Sequence, residues 1–470
     1  MGTKIKEKYS NMLEPFETMG QWWIPGSKDV FSGTFRYIPQ EEVLELKFIG
    51  KLEKGPIIKN IKIINGLTVG GQYMTLLNCF AYMDSLRAPG YITTKAIPQF
   101  VFVGFCFKTI EEITFNKATY SCYNNEDFMG ESGFKSEHII KDNKVEYDLS
   151  YKYPEPINFK IEDFDISTTW QITWPSIGPE IDIQEKAGFA IKSSKCHTHI
   201  EFLNTPITRV NTLLEIIIGE RVPIREVTLI SEKIGRTFND GEFYTQPISL
   251  LWNQTISYPL PKRKAPFELV FSFYEIKNEI NNIIQKWHET HQRYKSAIGL
   301  FLTVQRMRRE LSVEQTFLNL CRVLEVYHRL KSSETYIEPE KYEHLLENII
   351  GVVPKEHKKY IRQRLQYGNE LTLRKRLKMI YDLLPQKIQE KIENKDIFCE
   401  KVVNSRNYLT HFDENIKPLK LSSDEMLKYG TIMINMCKAL FLLEIGIPYE
   451  KINQKLGDFY IPETISFEEK

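Results

Sequence analysis

The sequence changes its pattern once, and that change most constrains the fold. From about Phe16 to Ser257 it consists of short apolar or alternating runs, such as 44–50 and 99–107, rich in β-branched and aromatic residues. After the proline-rich basic segment 259–266, apolar residues recur at helical spacing. These patterns predict an α+β chain, with an N-terminal antiparallel β-sandwich-like or jelly-roll region followed by an all-α helical bundle.

We therefore predict two domains, a β-rich region at residues 1–265 and a helical domain at 266–470. A chain of 470 residues is long enough for two or three domains with sizeable cores. The prolines near residue 155 indicate a further boundary inside the β-rich region. One stretch within it, 208–218, has mixed signals and could be a short helix lying across the sheet.

Composition excludes little by itself. The formal net charge is +1, so contact with a nucleic acid would require a local basic patch. The N-terminal residues lack an apolar segment and no run approaches the ~20 apolar residues of a membrane span. The seven cysteines include no Cys-x-x-Cys pair, which is typical of reduced thiols. We expect a cytoplasmic protein.

The stretch 396–411 carries the clearest chemical pattern. Drawn as a helix at about 100° per residue, it has an apolar side formed by Phe398, Val402, Leu409 and Phe412. An arc of roughly 140° on the other side holds Arg406, Asn407, Thr410 and His411. A histidine can move protons near neutral pH, and a guanidinium can clamp phosphate oxygens. Asn407 could orient the imidazole or the phosphate. This set is suited to cutting RNA without a metal.

A similar spacing occurs by chance about once in a chain of this length, and Arg322 with His328 provides a second match. That pair lies in a predicted helix from Ser312 to about residue 330, which is apolar around most of its circumference and therefore central to the bundle. Glu325 lies in the same helix. A carboxylate there requires a cation such as Arg406, or a position at the helix edge where it reaches water.

A second feature is a run of basic residues. Between 355 and 378 there are nine basic and two acidic residues, with two tyrosines interleaved. Cations that contact phosphates and aromatic rings that stack on bases are typical of an RNA-binding surface, although most charged runs are only solvated. The candidate RNA-binding residues are Lys358, Lys359, Arg362, Arg364, Arg374, Lys375 and Arg376.

The segment Arg406-Asn-Tyr-Leu-Thr-His411 resembles the Arg-x(4–6)-His signature of HEPN domains. The runs 317–329 and 371–377 are similar to the Apea-like branch of those domains, and 20–25 and 30–35 are similar to the β-rich domain of ApeA-type anti-phage proteins. This resemblance implies a metal-independent endoribonuclease that leaves a 2′,3′-cyclic phosphate on tRNA or other RNA and causes abortive infection. It also implies a HEPN homodimer, no cofactor, and a β domain that senses a phage-derived trigger.

In that interpretation the catalytic set is His411 for proton transfer, Arg406 for charge stabilisation, Asn407 for orientation and Glu325 for holding Arg406. Two alternatives remain open: a non-catalytic HEPN module that binds RNA or mediates assembly beside a ligand-binding β domain, and a carbohydrate-active β-sandwich. No carboxylate pair stands out among the strands to favour the second alternative. His197 and His199, on one face of a predicted strand, could bind a metal only if a further ligand approached, and we predict no metal site.

Overall fold

The predicted change from strands to helices is present in the chain. The computed structural model describes residues 9–50, 58–86, 89–141, 144–173, 183–237, 241–254, 256, 258–260, 262–265, 268–307, 310–457 and 459. The chain forms two compact units, Met1–Ile284 and Gln285–Lys470. Antiparallel strands fill most of the first unit and helices fill the second, which confirms the predicted fold class.

The strands of the first unit pair with antiparallel neighbours throughout the described residues. They are β1 (Phe16–Trp23), β2 (Val30–Ile38), β3 (Val43–Ile49), β4 (Ile58–Thr68), β5 (Tyr73–Leu86), β6 (Ile92–Ile97), β7 (Phe100–Val103), β8 (Thr114–Cys122), β9 (Phe134–Lys141), β10 (Lys144–Tyr151), β11 (Asn158–Ile161), β12 (Phe164–Thr173), β13 (Gln184–Thr198), β14 (Ile224–Ile230), β15 (Gly235–Thr237), β16 (Phe243–Thr245) and β17 (Ile248–Leu251).

One large sheet contains thirteen of the described strands, in the order β11-β12-β13-β8-β14-β17-β7-β5-β4-β1-β2-β3-β6. Strand β5 changes partner along its length: residues 74–77 pair with β7, whereas 80–86 pair with β6. Between the two segments Asn78 has a positive φ of 54°. Because β6 also pairs with β3, six strands close into a barrel, and the rest of the sheet continues from β5. The sheet therefore closes on itself at one end, instead of forming the expected sandwich of two sheets.

Large apolar side chains fill this unit because alternate residues of each strand face inward. In the barrel strands Trp22, Phe35, Tyr37 and Leu46 are fully buried. The helices of the first unit are α1 (Asn125–Met129), α2 (His199–Phe202), α3 (Thr208–Ile218) and α4 (Phe273–Ile276). The predicted short helix at 208–218 is confirmed as α3.

The helices that continue the chain are α5 (Ile280–Arg306), α6 (Val313–Lys331), α7 (Pro339–Val352), α8 (Lys358–Leu365), α9 (Leu373–Leu383), α10 (Gln386–Gln389), α11 (Lys395–His411), α12 (Ser423–Glu444) and α13 (Tyr449–Gly457). Helices α6 and α12 both begin with a capping box, Ser312 with Gln315 and Ser422 with Glu425. In a capping box the serine and the side chain three residues later satisfy amides that the helix leaves free, which fixes where each helix starts.

Helices α6 and α12 pack against each other in the middle of the second unit. Gly430 of α12 lies at this contact, where a Cβ would meet Leu320 Cδ1 at an ordinary van der Waals distance of 3.9 Å. Helix α12 is long and apolar enough to cross a membrane by length and composition, but 67% of its most apolar window is buried inside the protein. Burial to this extent is what a core helix of a bundle requires.

Candidate active site

Helix α11 carries the Arg-x(4)-His pattern, and its ends are well defined. At its start the Asn394 side chain accepts hydrogen bonds from the backbone amides of Asp396, at 2.9 Å, and Ile397, at 3.0 Å. At its end Phe412 adopts a left-handed conformation, with φ of 52°. His411 is therefore the last helical residue, and Arg406 precedes it by a turn and a half.

The back of α11 is buried as the apolar pattern predicts, but only along part of its length. Phe398 and Val402 are buried, and the buried Ser405 hydroxyl accepts a hydrogen bond from the backbone amide of Leu421 at 2.8 Å. Leu409 is only half-buried, and Phe412 is 68% exposed. The expectation for Phe412 was wrong because its left-handed backbone takes it off the helical face.

On the polar front of α11, the Arg406 guanidinium is held by a neighbouring side chain. Arg406 Nη1 donates to Asn407 Oδ1 at 3.1 Å, so Asn407 orients the arginine instead of the imidazole. Thr410 Oγ1 donates to the Arg406 carbonyl oxygen at 2.7 Å, which leaves the Thr410 side chain occupied within the helix. His411 is exposed and makes no hydrogen bond or ion pair within the described residues. Its ring is free to meet a bound molecule.

Glu325 of α6 faces this front. Its Oε2 lies 3.7 Å from Arg406 Nη2, and its side chain retains 22% of its exposure. The other oxygen, Oε1, accepts from Arg329 Nε at 3.3 Å and Nη2 at 3.2 Å. The sequence predicted either a cation partner for Glu325 or a position where it reaches water. The structure shows both, a cation partner and partial access to water. It brings Glu325, Arg406 and Asn407 together, and His411 follows Arg406 by five residues at the end of α11.

Arg329 was missed by the sequence reasoning. It shares Glu325 with Arg406, and its Nη1 lies 2.5 Å from Glu370 Oε2. The signal was present in the sequence, because Glu325 and Arg329 are four residues apart in a helix, the spacing at which opposite charges meet. The site thus includes two arginines that use different oxygens of one carboxylate.

The second Arg/His match forms no comparable site. Arg322 is exposed, whereas His328 is 2% exposed and accepts a hydrogen bond at Nδ1 from Arg376 Nη1 at 3.1 Å. A guanidinium can only donate, so His328 Nδ1 carries no proton. Burial, followed by the charge of Arg376, lowers the pKa of His328 below its ordinary value. This histidine belongs to the core.

The basic segment divides between surface and core. Lys359, Arg362, Arg364, Arg374 and Lys375 are exposed, and Lys358 is half-buried. Arg376 is 4% exposed, because the helical period of α9 turns it inward, toward His328 and the Leu371 carbonyl. Arg376 was expected to bind RNA with the others, but it is not at the surface as that prediction requires.

Part of the exposed basic segment is neutralised by α11. Arg374 pairs with Glu400 at 2.8 Å, and Lys378 forms an ion pair with Asp396. The Lys378 ammonium lowers the pKa of the Asp396 carboxyl. Arg374 therefore offers a phosphate less free charge than Lys359 of α8, which has no ion pair in the described part of the chain.

The two histidines weighed as metal ligands do not share a strand face. Strand β13 ends at Thr198, and a capping box between Thr198 and Glu201 starts α2 at His199. His197 Nε2 lies 2.9 Å from Ser193 Oγ, whereas His199 is buried edge-on against Phe100. No cluster of three or more His, Cys, Asp or Glu suited to a metal occurs in the described ranges.

Comparison with protein-family models gives two matches. The model described as ApeA N-terminal domain 1 matches residues 17–287, which is more than half of the chain. The model described as Apea-like HEPN matches residues 318–451, which include Glu325 and the whole of α11. No curated protein matches the chain. No solved structure matches it either.

Proposed function

We propose that this chain, which belongs to the ApeA family of anti-phage proteins and carries an Apea-like HEPN domain, is an endoribonuclease acting in anti-phage defence. One observation carries the proposal. Arg406 is held by Glu325 and Asn407 on the helix whose last residue is the exposed His411. A fixed cation beside a free imidazole is what RNA cleavage through the ribose 2′-hydroxyl requires.

In this reaction His411 takes the proton from the 2′-hydroxyl, and the 2′-oxygen then attacks the neighbouring phosphorus. Arg406 donates hydrogen bonds to the phosphate oxygens as negative charge accumulates on them. The bond from phosphorus to the 5′-oxygen breaks, and a proton is returned to that leaving oxygen. The products are a 2′,3′-cyclic phosphate and a free 5′-hydroxyl. None of these steps requires a metal or a cofactor.

The need for both a base and an acid supports a homodimer. Within one copy, the exposed front of α11 offers a single histidine next to the held arginine. Two copies arranged with their α11 fronts facing would supply one imidazole to accept a proton and another to donate one. We propose that the HEPN domain forms this dimer.

We further propose that the substrate is tRNA or another cellular RNA, bound in the cytoplasm. Phosphate contacts would come from the half-buried Lys358 and from the exposed cations of α8 and α9, which are Lys359, Arg362, Arg364, Arg374 and Lys375. The β-rich unit would sense a phage-derived trigger and release the nuclease, which would halt growth of the infected cell.

Cleavage of total tRNA by purified protein in EDTA tests the proposal. We expect wild-type protein to cut and to leave cyclic phosphate ends, and His411→Ala to lose about 10²- to 10⁴-fold in rate. His288→Ala is the matched control, since His288 is an exposed histidine of the helical unit outside this site.

Equal cutting by wild-type protein and His411→Ala would contradict the mechanism. If neither cuts, phage-infected lysate is added as a source of trigger. Continued RNA binding without cleavage under that condition would favour a non-catalytic HEPN module that binds RNA.

A further inference from the structure

A groove lined by both polar and apolar groups runs between helices α7 and α8. It encloses about 430 Å³, within the range typical of small-molecule pockets. One wall is a stripe formed by Lys359, Arg362 and Gln363 of α8 and by Gln366, which follows its last residue. Part of the other wall is formed by Tyr342, Glu343 and Leu346 of α7. The residues of the stripe occur at i, i+3, i+4 and i+7, the positions that an amphipathic helix normally fills with apolar side chains. Helix α8 has no buried residue.

The groove is held open by fixed contacts at one end. The Tyr342 hydroxyl donates to the Leu365 carbonyl at 2.7 Å and joins the two helices. The buried Asn369 side chain accepts from the Ile337 amide at 2.8 Å and donates to the Ile337 carbonyl at 2.7 Å. The stripe of α8 therefore faces a preformed space. Arg362 of this stripe lies 4.0 Å from an exposed carboxylate, Glu347, so Lys359 is its more available cation.

The groove is connected to the proposed active site through successive ion pairs. Glu370, which lines the groove, contacts Arg329 at 2.5 Å. Arg329 in turn contacts Glu325, and Glu325 contacts Arg406. A strand bound with its scissile phosphate at Arg406 would thus have neighbouring nucleotides close to this groove.

We infer that the groove between α7 and α8 binds a nucleotide of the RNA substrate whose base carries an amino group. This inference rests on the proposed ribonuclease function and specifies how its substrate is selected. Lys359 and Arg362 suit the phosphate, since both cations lie on one wall. The Glu343 carboxylate opposite can accept from the amino group of cytosine, adenine or guanine, and the two glutamines can bond other atoms of the base edge. Uracil has no amino group.

Binding of RNA to protein in the His411→Ala background tests this inference separately from cleavage. The probes are fluorescent single-stranded oligonucleotides of cytidine, adenosine or uridine, measured by anisotropy at several salt concentrations. Lys359→Ala and Arg362→Ala should weaken binding to all probes and each reduce the slope of log K against log salt by about 1. The preference for cytidine and adenosine probes over uridine probes should fall by about fivefold or more in two variants. One combines Gln363→Ala with Gln366→Ala, and the other is Glu343→Gln.

Lys341→Ala is the matched control, because this cation lies on α7 and pairs with Glu338 without lining the groove. Groove variants that bind every probe as the control does would overturn the inference. The same groove variants, made in protein that retains His411, would also overturn it if they bind RNA normally but are not activated for cleavage by phage-infected lysate; that result would favour a protein ligand. Loss of cleavage in His411→Ala decides the proposed function independently of these binding results.

Discussion

Arg406 faces a carboxylate from another helix, since its Nη2 lies 3.7 Å from Glu325 Oε2. If this contact fixes the guanidinium against the phosphate, Glu325→Gln should lower kcat for RNA cleavage about tenfold while KM changes little. The amide keeps the shape of the carboxylate but not its charge, and a tenfold change in rate corresponds to about 1.4 kcal/mol of lost transition-state stabilisation. Glu340→Gln, an exposed change on α7, serves as the control. A change in KM alone would place Glu325 in substrate binding.

Arg329 should act through Glu325. Arg329 occupies Oε1 of Glu325 and leaves Oε2 for Arg406. Arg329→Gln should therefore lower kcat by a smaller factor than Glu325→Gln does, about threefold to tenfold. The double variant with Glu325→Gln should be no slower than Glu325→Gln alone, as a double-mutant cycle would show. Arg322→Gln on the same helix is exposed and should have no effect. Additive losses would show that Arg329 contributes independently of Glu325.

Much of this site could be predicted because it depends on local sequence. The α11 front is set by the helical period, and the start of α6 by a serine and a glutamine at capping-box spacing. The burial of Arg376 could not be predicted in this way. Its inward position depends on His328, which is 48 residues away in the chain, and charge density along a sequence does not indicate which cations are buried.

The closed barrel could not be predicted from the sequence either. Runs such as 44–50 indicate strands, but they do not indicate that β5 pairs with β7 over one half and with β6 over the other. That change of partner depends on the positive φ of Asn78 and on pairing between strands distant in sequence. An alternating pattern is equally compatible with a sandwich and with a barrel.

The buried pair of His328 and Arg376 should matter for stability. His328→Leu leaves the buried Arg376 guanidinium with the Leu371 carbonyl but without its imidazole acceptor, and should lower the free energy of unfolding of the helical unit by about 3 kcal/mol. Arg376→Met removes the charge and leaves only a neutral imidazole, so its cost should be smaller, about 1–2 kcal/mol. Urea denaturation followed by helical circular dichroism measures both. Equal losses of unfolding free energy in the two variants would indicate that the charge of Arg376 does not determine the loss of stability.

His199 should make the β-rich unit sensitive to acid. It is buried against Phe100 and Phe102, and neither ring nitrogen has a hydrogen-bond partner among the described residues. Burial lowers its pKa from 6.5 to about 4. Above pH 6.5 it is neutral in both the folded and the unfolded chain. Between pH 6.5 and about 4 the unfolded chain binds a proton that the folded chain does not, so stability is lost as pH falls, by roughly 3 kcal/mol at most.

Hydrogen exchange of the β7 and β8 amides at pH 7 and pH 5 measures this loss within the unit that contains His199, after correction for the intrinsic pH dependence of exchange. In the wild-type protein, protection should fall on acidification, whereas His199→Leu should keep most of it because leucine cannot bind the proton. His288→Leu, a change at an exposed histidine of the helical unit, should leave the wild-type behaviour unchanged. If His199→Leu loses as much protection between pH 7 and pH 5 as the wild type, another group must control the acid response of the β-rich unit.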